Sequence, residues 1–176
     1  MALEIERRFL VTGEDWRAHV DWVAEIRQGY LLSAQDGLTV RVRLQQSQHG
    51  EPQAWFTIKA VPGAGAAATT RLEFEYPIPI ADAEAMLNLA PSRLEKRRHG
   101  LQLSGGEWVL DVFYGENAPL VVAEVELEHP DAAPPIPAWC TREITGIHAF
   151  SNAALAATPL RTWPPQELRS FLPVQR

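Results

Sequence analysis

The sequence predicts a mainly β fold of the α+β kind: an antiparallel sheet of about eight strands with helices at its periphery. Three observations predict it. Apolar and polar residues alternate with period 2 in segment after segment, short turn-rich breaks separate those segments, and only four stretches carry helical spacing.

Taken in order, strands are predicted near 2–11, 37–46, 53–60, 70–78, 94–103, 107–114, 120–128 and 140–145. Gln35-Asp36-Gly37, Gln48-His49-Gly50, Ser104-Gly105-Gly106 and Gly115-Glu116-Asn117 supply the turn chemistry between them. One or two short helices are predicted within Glu14 to Ile26. Another runs from Ile80 to Leu89, a third from His148 to Ala157 after Gly146, and a fourth from Pro165 to Phe171 with proline at its first position. The stretch VPGAGAAATT reads as a loop and lacks the Gly-Lys-Ser/Thr ending of a phosphate-binding P-loop. AAPPIP is a stiff connection before the last strand. There is no internal repeat and no domain linker.

A chain of 176 residues with 46% hydrophobic content fits one globular domain. A formal charge of −6 argues against broad electrostatic binding to nucleic acid. Cys140 stands alone, so neither a disulfide framework nor a thiolate metal site is expected. The five histidines lack zinc-ligand spacing, and the six tryptophans are read as packing residues. Neither a signal peptide nor a membrane span is found, so a soluble, cytoplasmic protein without a membrane partner is expected.

The faces of the strands carry the functional signal. In EIERRF, Glu4, Glu6 and Arg8 oppose Ile5, Arg7 and Phe9. In TVRVRL, Arg41 and Arg43 share a face, and in WFTIKA, Thr57 and Lys59 do. Arg71, Glu73 and Glu75 oppose Leu72, Phe74 and Tyr76; Lys96 and Arg98 fall together; Asp111 lies between Val109 and Phe113; Glu124, Glu126 and Glu128 oppose Ala123, Val125 and Leu127. Two architectures accommodate this pattern. One is an open sheet with a wet polar face. The other is a closed barrel whose charges point into a water-filled lumen while the apolar face turns outward beneath the helices. Charges in such a lumen must pair or hold ligands, and carboxylates on some walls with cations on others suit a divalent metal with a polyanion. The ligand class is then a phosphate chain with Mg²⁺ or Mn²⁺.

With EIERRF at its start, followed in order by QGYL, VRVR, TIK, R-x-EFEY-x-IP, LEKRR, W-x-x-D-x-F, VAEVELE and W-x-x-REIT, the chain resembles the CYTH superfamily of triphosphate tunnel metalloenzymes, in particular its short bacterial members. The resemblance covers roughly residues 3 to 155. It implies an eight-stranded antiparallel closed barrel, or tunnel, with a charged lumen, and a tunnel domain over 1–158; the stretch 159–176 falls outside the resemblance and is read from its residues as a C-terminal extension, a surface helix packed on the same domain through Leu168, Phe171 and Leu172. Glu4, Glu6, Glu73, Glu75, Asp111, Glu124 and Glu126 are implied as metal ligands. Arg8, Arg41, Arg43, Lys59, Arg71, Lys96 and Arg98 are implied as triphosphate contacts. Tyr30, Glu6 and Lys96 form the implied catalytic set, with Tyr30 as proton acceptor, a role that needs neighbouring cations to lower its pKa. Two departures stand out. Arg8 occupies a position where lysine is usual, and the family's RYYN appears as HAFSN, His148 to Asn152.

The implied activity is metal-assisted hydrolysis of a triphosphate, inorganic tripolyphosphate to pyrophosphate and phosphate first, using one or two Mg²⁺ or Mn²⁺ ions. The same lumen leaves open adenylyl cyclase chemistry, thiamine triphosphate hydrolysis and non-catalytic polyphosphate or nucleotide binding. The expected partner is a small polyanion, with room for a homodimer.

Overall fold

The structure, a computed structural model, describes residues 3–34, 37–63 and 69–172. Gln35 and Asp36 of one predicted turn, the middle of the 61–70 loop and the last four residues lie outside the described residues. The described strands are β1 (Leu3–Val11), β2 (Val20–Ser33), β3 (Thr39–Ser47), β4 (Gln53–Ala60), β5 (Thr70–Pro77), β6 (Ser92–Leu101), β7 (Glu107–Phe113), β8 (Val121–Glu126) and β9 (Cys140–Glu143). The α-helices are α1 (Ile80–Leu89), α2 (Asn152–Ala157) and α3 (Pro165–Phe171).

Every pairing is antiparallel, in the order β5-β4-β3-β2-β6-β7-β8-β1, and β1 returns to β5 to close an eight-stranded barrel. The closing seam is short. Leu3, Glu4 and Ile5 pair with Leu72, Arg71 and Thr70, and the Glu6 amide donates to the Thr69 carbonyl at 3.0 Å. Farther along β1, β9 takes over through Phe9, Leu10 and Val11, and the Ile144 amide donates to the Arg8 carbonyl at 2.8 Å. One strand is thus held by three others, and its inward side chains are fixed in register along their whole length.

Two sequence expectations need correcting. Residues 20–26, expected within a helix, belong to the 14-residue strand β2, and only Asp15–His19 forms a helical turn, of the 3-10 kind. Trp16, Val20, Val23 and Ile26 mimic helical spacing, but Trp22, Ala24, Ile26, Gln28 and Tyr30 also share one face at period 2. Tertiary pairing decides between them, because β2 bridges β3 along one edge and β6 along the other. The stretch at 140–145, expected as the eighth strand, forms β9 outside the barrel, and β2 supplies the missing stave.

The outward alternation is packed. Ile5, Phe9, Trp108, Leu110, Ala123 and Val125 form an outer cluster with Trp16, Leu127 and Trp139. On the opposite side, α1 lays Ala83 and Leu87 over Val42, Leu44 and Ala54. The inward alternation changes character at one level of the barrel. Along β1, β6, β7 and β8 the charged Arg8, Lys96, Asp111 and Glu124 are followed on the same face by Leu10, Leu94, Phe113 and Val122. These apolar residues receive Phe150, Ala153 and Leu155, so the turn at His148–Phe150 and α2 plug that end. Leu160 and Trp163 are buried in the same cluster, and Phe171 of α3 meets Phe150 edge-on at 4.9 Å. No helix among the described residues is long and apolar enough to cross a membrane.

The seating of α1 depends on Gly29. A Cβ there would stand 2.7 Å from the Ala90 Cβ and 3.3 Å from Leu87. Gly29→Ala is expected to lower stability by roughly 1–3 kcal/mol through overpacking, read as a lower denaturant midpoint at unchanged slope; an unshifted midpoint would mean that α1 yields without cost.

Candidate active site in the barrel interior

Strand alternation alone brings the charged side chains to one place. The inner faces enclose a cavity of about 640 Å³ lined by Glu4, Glu6, Arg8, Arg41, Arg43, Lys59, Arg71, Glu73, Glu75, Arg98, Glu124 and Glu126. Tyr30 lines it as well. The implied residues that do not reach the cavity are Lys96 and Asp111, which lie behind its wall with side chains 1% and 0% exposed.

The deepest layer is an unbroken chain of opposite charges. The Lys96 ammonium donates to Asp111 Oδ2 at 2.5 Å. Arg98 grips both Asp111 oxygens at 2.8 Å and reaches Glu124 Oε1 at 2.6 Å. Glu124 Oε2 accepts from Arg8 Nε at 2.9 Å, and Arg8 Nη1 donates to the Phe150 carbonyl of the plug at 2.8 Å. Burial alone would raise the Asp111 carboxyl, but Arg98 and Lys96 hold it well below the usual range. Burial lowers Lys96 to about 8 against the pull of Asp111. Asp111 is therefore fully engaged in fixing cations, both of its oxygens being bonded to Arg98 and one also to Lys96.

Nearer the open end the walls differ in sign. On the basic side, Arg41 and Arg43 bond to Glu75 at 3.1 and 3.0 Å, and Thr57 bridges Arg41 and Glu75. Lys59 lies between Glu4 and Glu73, 2.6 and 3.1 Å away. Arg71 donates to the Gly37 carbonyl at 2.8 Å. Among the described residues, three buried guanidinium nitrogens have no hydrogen-bond partner: Arg41 Nε and Arg43 Nε on this side, and Arg8 Nη2 in the deepest layer. Burial, then the nearby Arg41 charge, lowers Arg43 to about 10. Such orphaned donors cost free energy unless an anion meets them.

The acidic side is crowded. Register sets Glu6 directly opposite Glu126, and Glu126 opposite Glu107. Burial first, then Glu124 and Glu4, push the Glu6 carboxyl up to about 7. Burial and the neighbouring Glu4 and Glu107 also raise Glu126. Glu4 behaves oppositely: burial raises it, but Lys59 outweighs that and leaves it at about 2. Tyr30 is 4% exposed, and its hydroxyl accepts from Gln28 Nε2 at 2.8 Å. Burial raises its pKa against the pull of Arg41 and Arg8, so the phenol keeps its proton at neutral pH.

Sequence reasoning missed several lining residues. Gln28 and Trp22 share the inner face of β2 with Tyr30, and the period-2 signal would have found them had that stretch been read as a strand. Glu107 stands four residues before Asp111 on the same face of β7. Ser151 and Asn152 come from the plug, and no local pattern marks them as facing the cavity.

Comparison with known proteins agrees with this architecture. The CYTH domain model matches residues 2–154. The chain is 33% identical over 165 residues to an inorganic triphosphatase of Acetivibrio thermocellus, covering 93% of this chain and 99% of that protein. It is 34% identical over 158 residues to an inorganic triphosphatase of Nitrosomonas europaea, covering 87% and 96%. A crystal structure of an inorganic triphosphatase superposes with a TM-score of 0.58 at 32% identity, covering 89% of this chain and 95% of that one. With a family model spanning most of its length, and with relatives matched almost end to end, the chain belongs to the CYTH domain family.

Proposed function

We propose that this protein hydrolyses a triphosphate inside the barrel, with inorganic tripolyphosphate, cleaved to pyrophosphate and phosphate, as its first substrate. The observation that carries the reading is the division of one cavity into a wall of uncompensated carboxylates and walls of buried, partly unpartnered guanidinium groups. The inorganic triphosphatases to which the chain is similar support it.

The carboxylate wall fits a hard divalent cation. No three described carboxylate or imidazole side chains converge on one point, since Glu4 is drawn onto Lys59 and Glu124 onto Arg8 and Arg98. Glu6 and Glu126, however, carry pKa values raised by burial and then by neighbouring carboxylates, and their oxygen donors suit Mg²⁺ or Mn²⁺. Glu6 and Glu126, with Glu4 and Glu124 beside them, would hold such a cation, whose chemistry when bound would be to offset phosphate charge and acidify water. Glu73 and Glu75 hold Lys59, Arg41 and Arg43 in place, and Asp111 holds Lys96 and Arg98.

The cations of the chain do the rest. Arg8, Arg41, Arg43 and Arg98 are pre-positioned donors for phosphate oxygens, and their ion pairs keep them from reorganising as charge moves to the leaving group. Tyr30, protonated in this setting, serves as a hydroxyl donor to the anion in place of the expected proton acceptor.

A panel of tripolyphosphate, thiamine triphosphate, ATP and GTP with Mg²⁺ or Mn²⁺, read for phosphate and cyclic nucleotide together, tests the reading. Phosphate release is expected to be fastest from tripolyphosphate; cyclic AMP as the main product would overturn it. Arg43→Ala is expected to raise the tripolyphosphate KM about tenfold, the worth of one charge-assisted hydrogen bond, with a smaller change in kcat. Glu6→Gln is expected to abolish metal-dependent turnover while stabilising the metal-free protein. The sign follows from the raised carboxyl: below 4.5 it is protonated folded or unfolded, and between there and about 7 only the folded state resists ionisation. Wild-type protein in EDTA should thus lose roughly 1–3 kcal/mol from this group as pH rises through that window, and thermal melts of Glu6→Gln should show a smaller loss.

A further inference from the structure

The plug also touches the site chemically. Its first helical residue is Asn152, held in place because the Ser151 side chain caps α2 by accepting from the Ala154 amide at 3.1 Å. On one side, the Phe150 carbonyl accepts from Arg8; on the other, Asn152 Oδ1 accepts from the Lys96 ammonium at 3.2 Å. Asn152 lines the cavity, whereas Lys96 lies behind it, so the amide stands between the buried ammonium and the lumen.

The chemistry of the ammonium settles which way the amide faces. Lysine has three donors and no acceptor, so only the amide oxygen can meet it. Lys96 cannot turn away, because it is fully buried and its other bond runs to Asp111. The amide nitrogen is therefore directed away from Lys96, on a residue that lines the cavity, and it makes no hydrogen bond to any described residue. Arg8, bonded to the plug through the Phe150 carbonyl, and Arg98 bring further donors to the closed end, and both are also bonded to Glu124.

We propose that Asn152 is a phosphate-binding residue contributed by the plug: its amide N–H groups meet the terminal phosphate at the closed end of the cavity, and Lys96 acts as the positioning residue that locks the amide in that orientation. This rests on the triphosphate reading. It also gives Lys96 a role consistent with its place behind the wall. A neutral donor at the closed end ligates phosphate oxygen but no metal ion, so the phosphate chain is oriented with its bare end against the plug and its metal-bearing part against Glu6 and Glu126.

The test separates a donor to substrate from a mere prop for Lys96. Asn152→Asp keeps an oxygen facing the ammonium and removes the N–H groups, whereas Asn152→Ala removes both. If the amide binds phosphate, Asn152→Asp melts at or above the wild-type temperature, yet its tripolyphosphate KM rises about tenfold or more and exceeds that of Asn152→Ala, because a carboxylate now faces the anion. If Asn152→Asp keeps the wild-type KM and only Asn152→Ala is impaired, the residue is a structural support and the proposal fails. It fails equally if both variants keep the wild-type KM. Should the Asp variant not fold, Asn152→Ala alone must still raise KM more than it lowers kcat. Calorimetric titration of tripolyphosphate into the wild-type protein in EDTA runs alongside, beside a phosphate-release assay with Mg²⁺. Wild-type protein that neither binds nor cleaves tripolyphosphate overturns the triphosphate reading itself; wild-type binding with undiminished affinity in Asn152→Asp overturns only the role of Asn152.

Discussion

A charge buried inside a closed barrel must be paired, and the rest of this structure depends on that requirement. An isolated carboxylate or guanidinium in such an interior would cost several kcal/mol after relaxation, so an eight-stranded lumen carrying this many charges is stable only as a network. The chain Lys96, Asp111, Arg98, Glu124, Arg8 answers the requirement at the deepest level, each group bonded to its neighbours and the last one to the plug. Toward the open end the pairing becomes incomplete. Guanidinium nitrogens are left over on one side and crowded carboxylates on the other. That imbalance is what makes the cavity a binding site, since the missing partners are an anion and a cation.

The barrel geometry serves the same end. Only three residues of β1 close the sheet against β5, and β9 continues the edge beyond them, so β1 keeps its alternation over its full length. Glu4, Glu6 and Arg8 project inward from it at successive same-face positions. The switch from charged to apolar inward residues at one level along four strands lets the turn at His148–Phe150 and α2 close that end. Arg8, at this boundary, uses its planar fork to bond Glu124 and the Phe150 carbonyl while leaving Nη2 over. A lysine at the same place would offer a single point charge.

Much of the site was legible because strand period and side-chain charge are both local properties. Glu4, Glu6, Arg41, Arg43, Glu124 and Glu126 share faces for no reason other than their odd or even spacing, and the structure gathers all of them in one cavity. Asp111 and Lys96 follow the same parity, yet spacing cannot tell how deep along a strand a side chain lies, and these two fall below the cavity floor. The stretch from Trp16 to Ile26 satisfies helical and strand periods at once, so β2 was hidden until β3 and β6 were seen to need a strand between them.

The sequence by itself determined which residues share a strand face, that their charges segregate by strand, and that a metal with a polyanion is a ligand class such faces suit. Alternation at period 2 follows from backbone geometry within each regular stretch of strand and is broken only where the register shifts, as in β2 between Val20 and Trp22 and between Tyr30 and Leu32. Only the tertiary structure decided that the sheet closes on itself, which strand fills the eighth place, which charges neutralise one another, and that Ser151 and Asn152 reach the cavity from the plug. Those outcomes rest on contacts between residues far apart in the chain, such as Arg8 with Phe150 and Lys96 with Asn152, and local spacing carries no information about them.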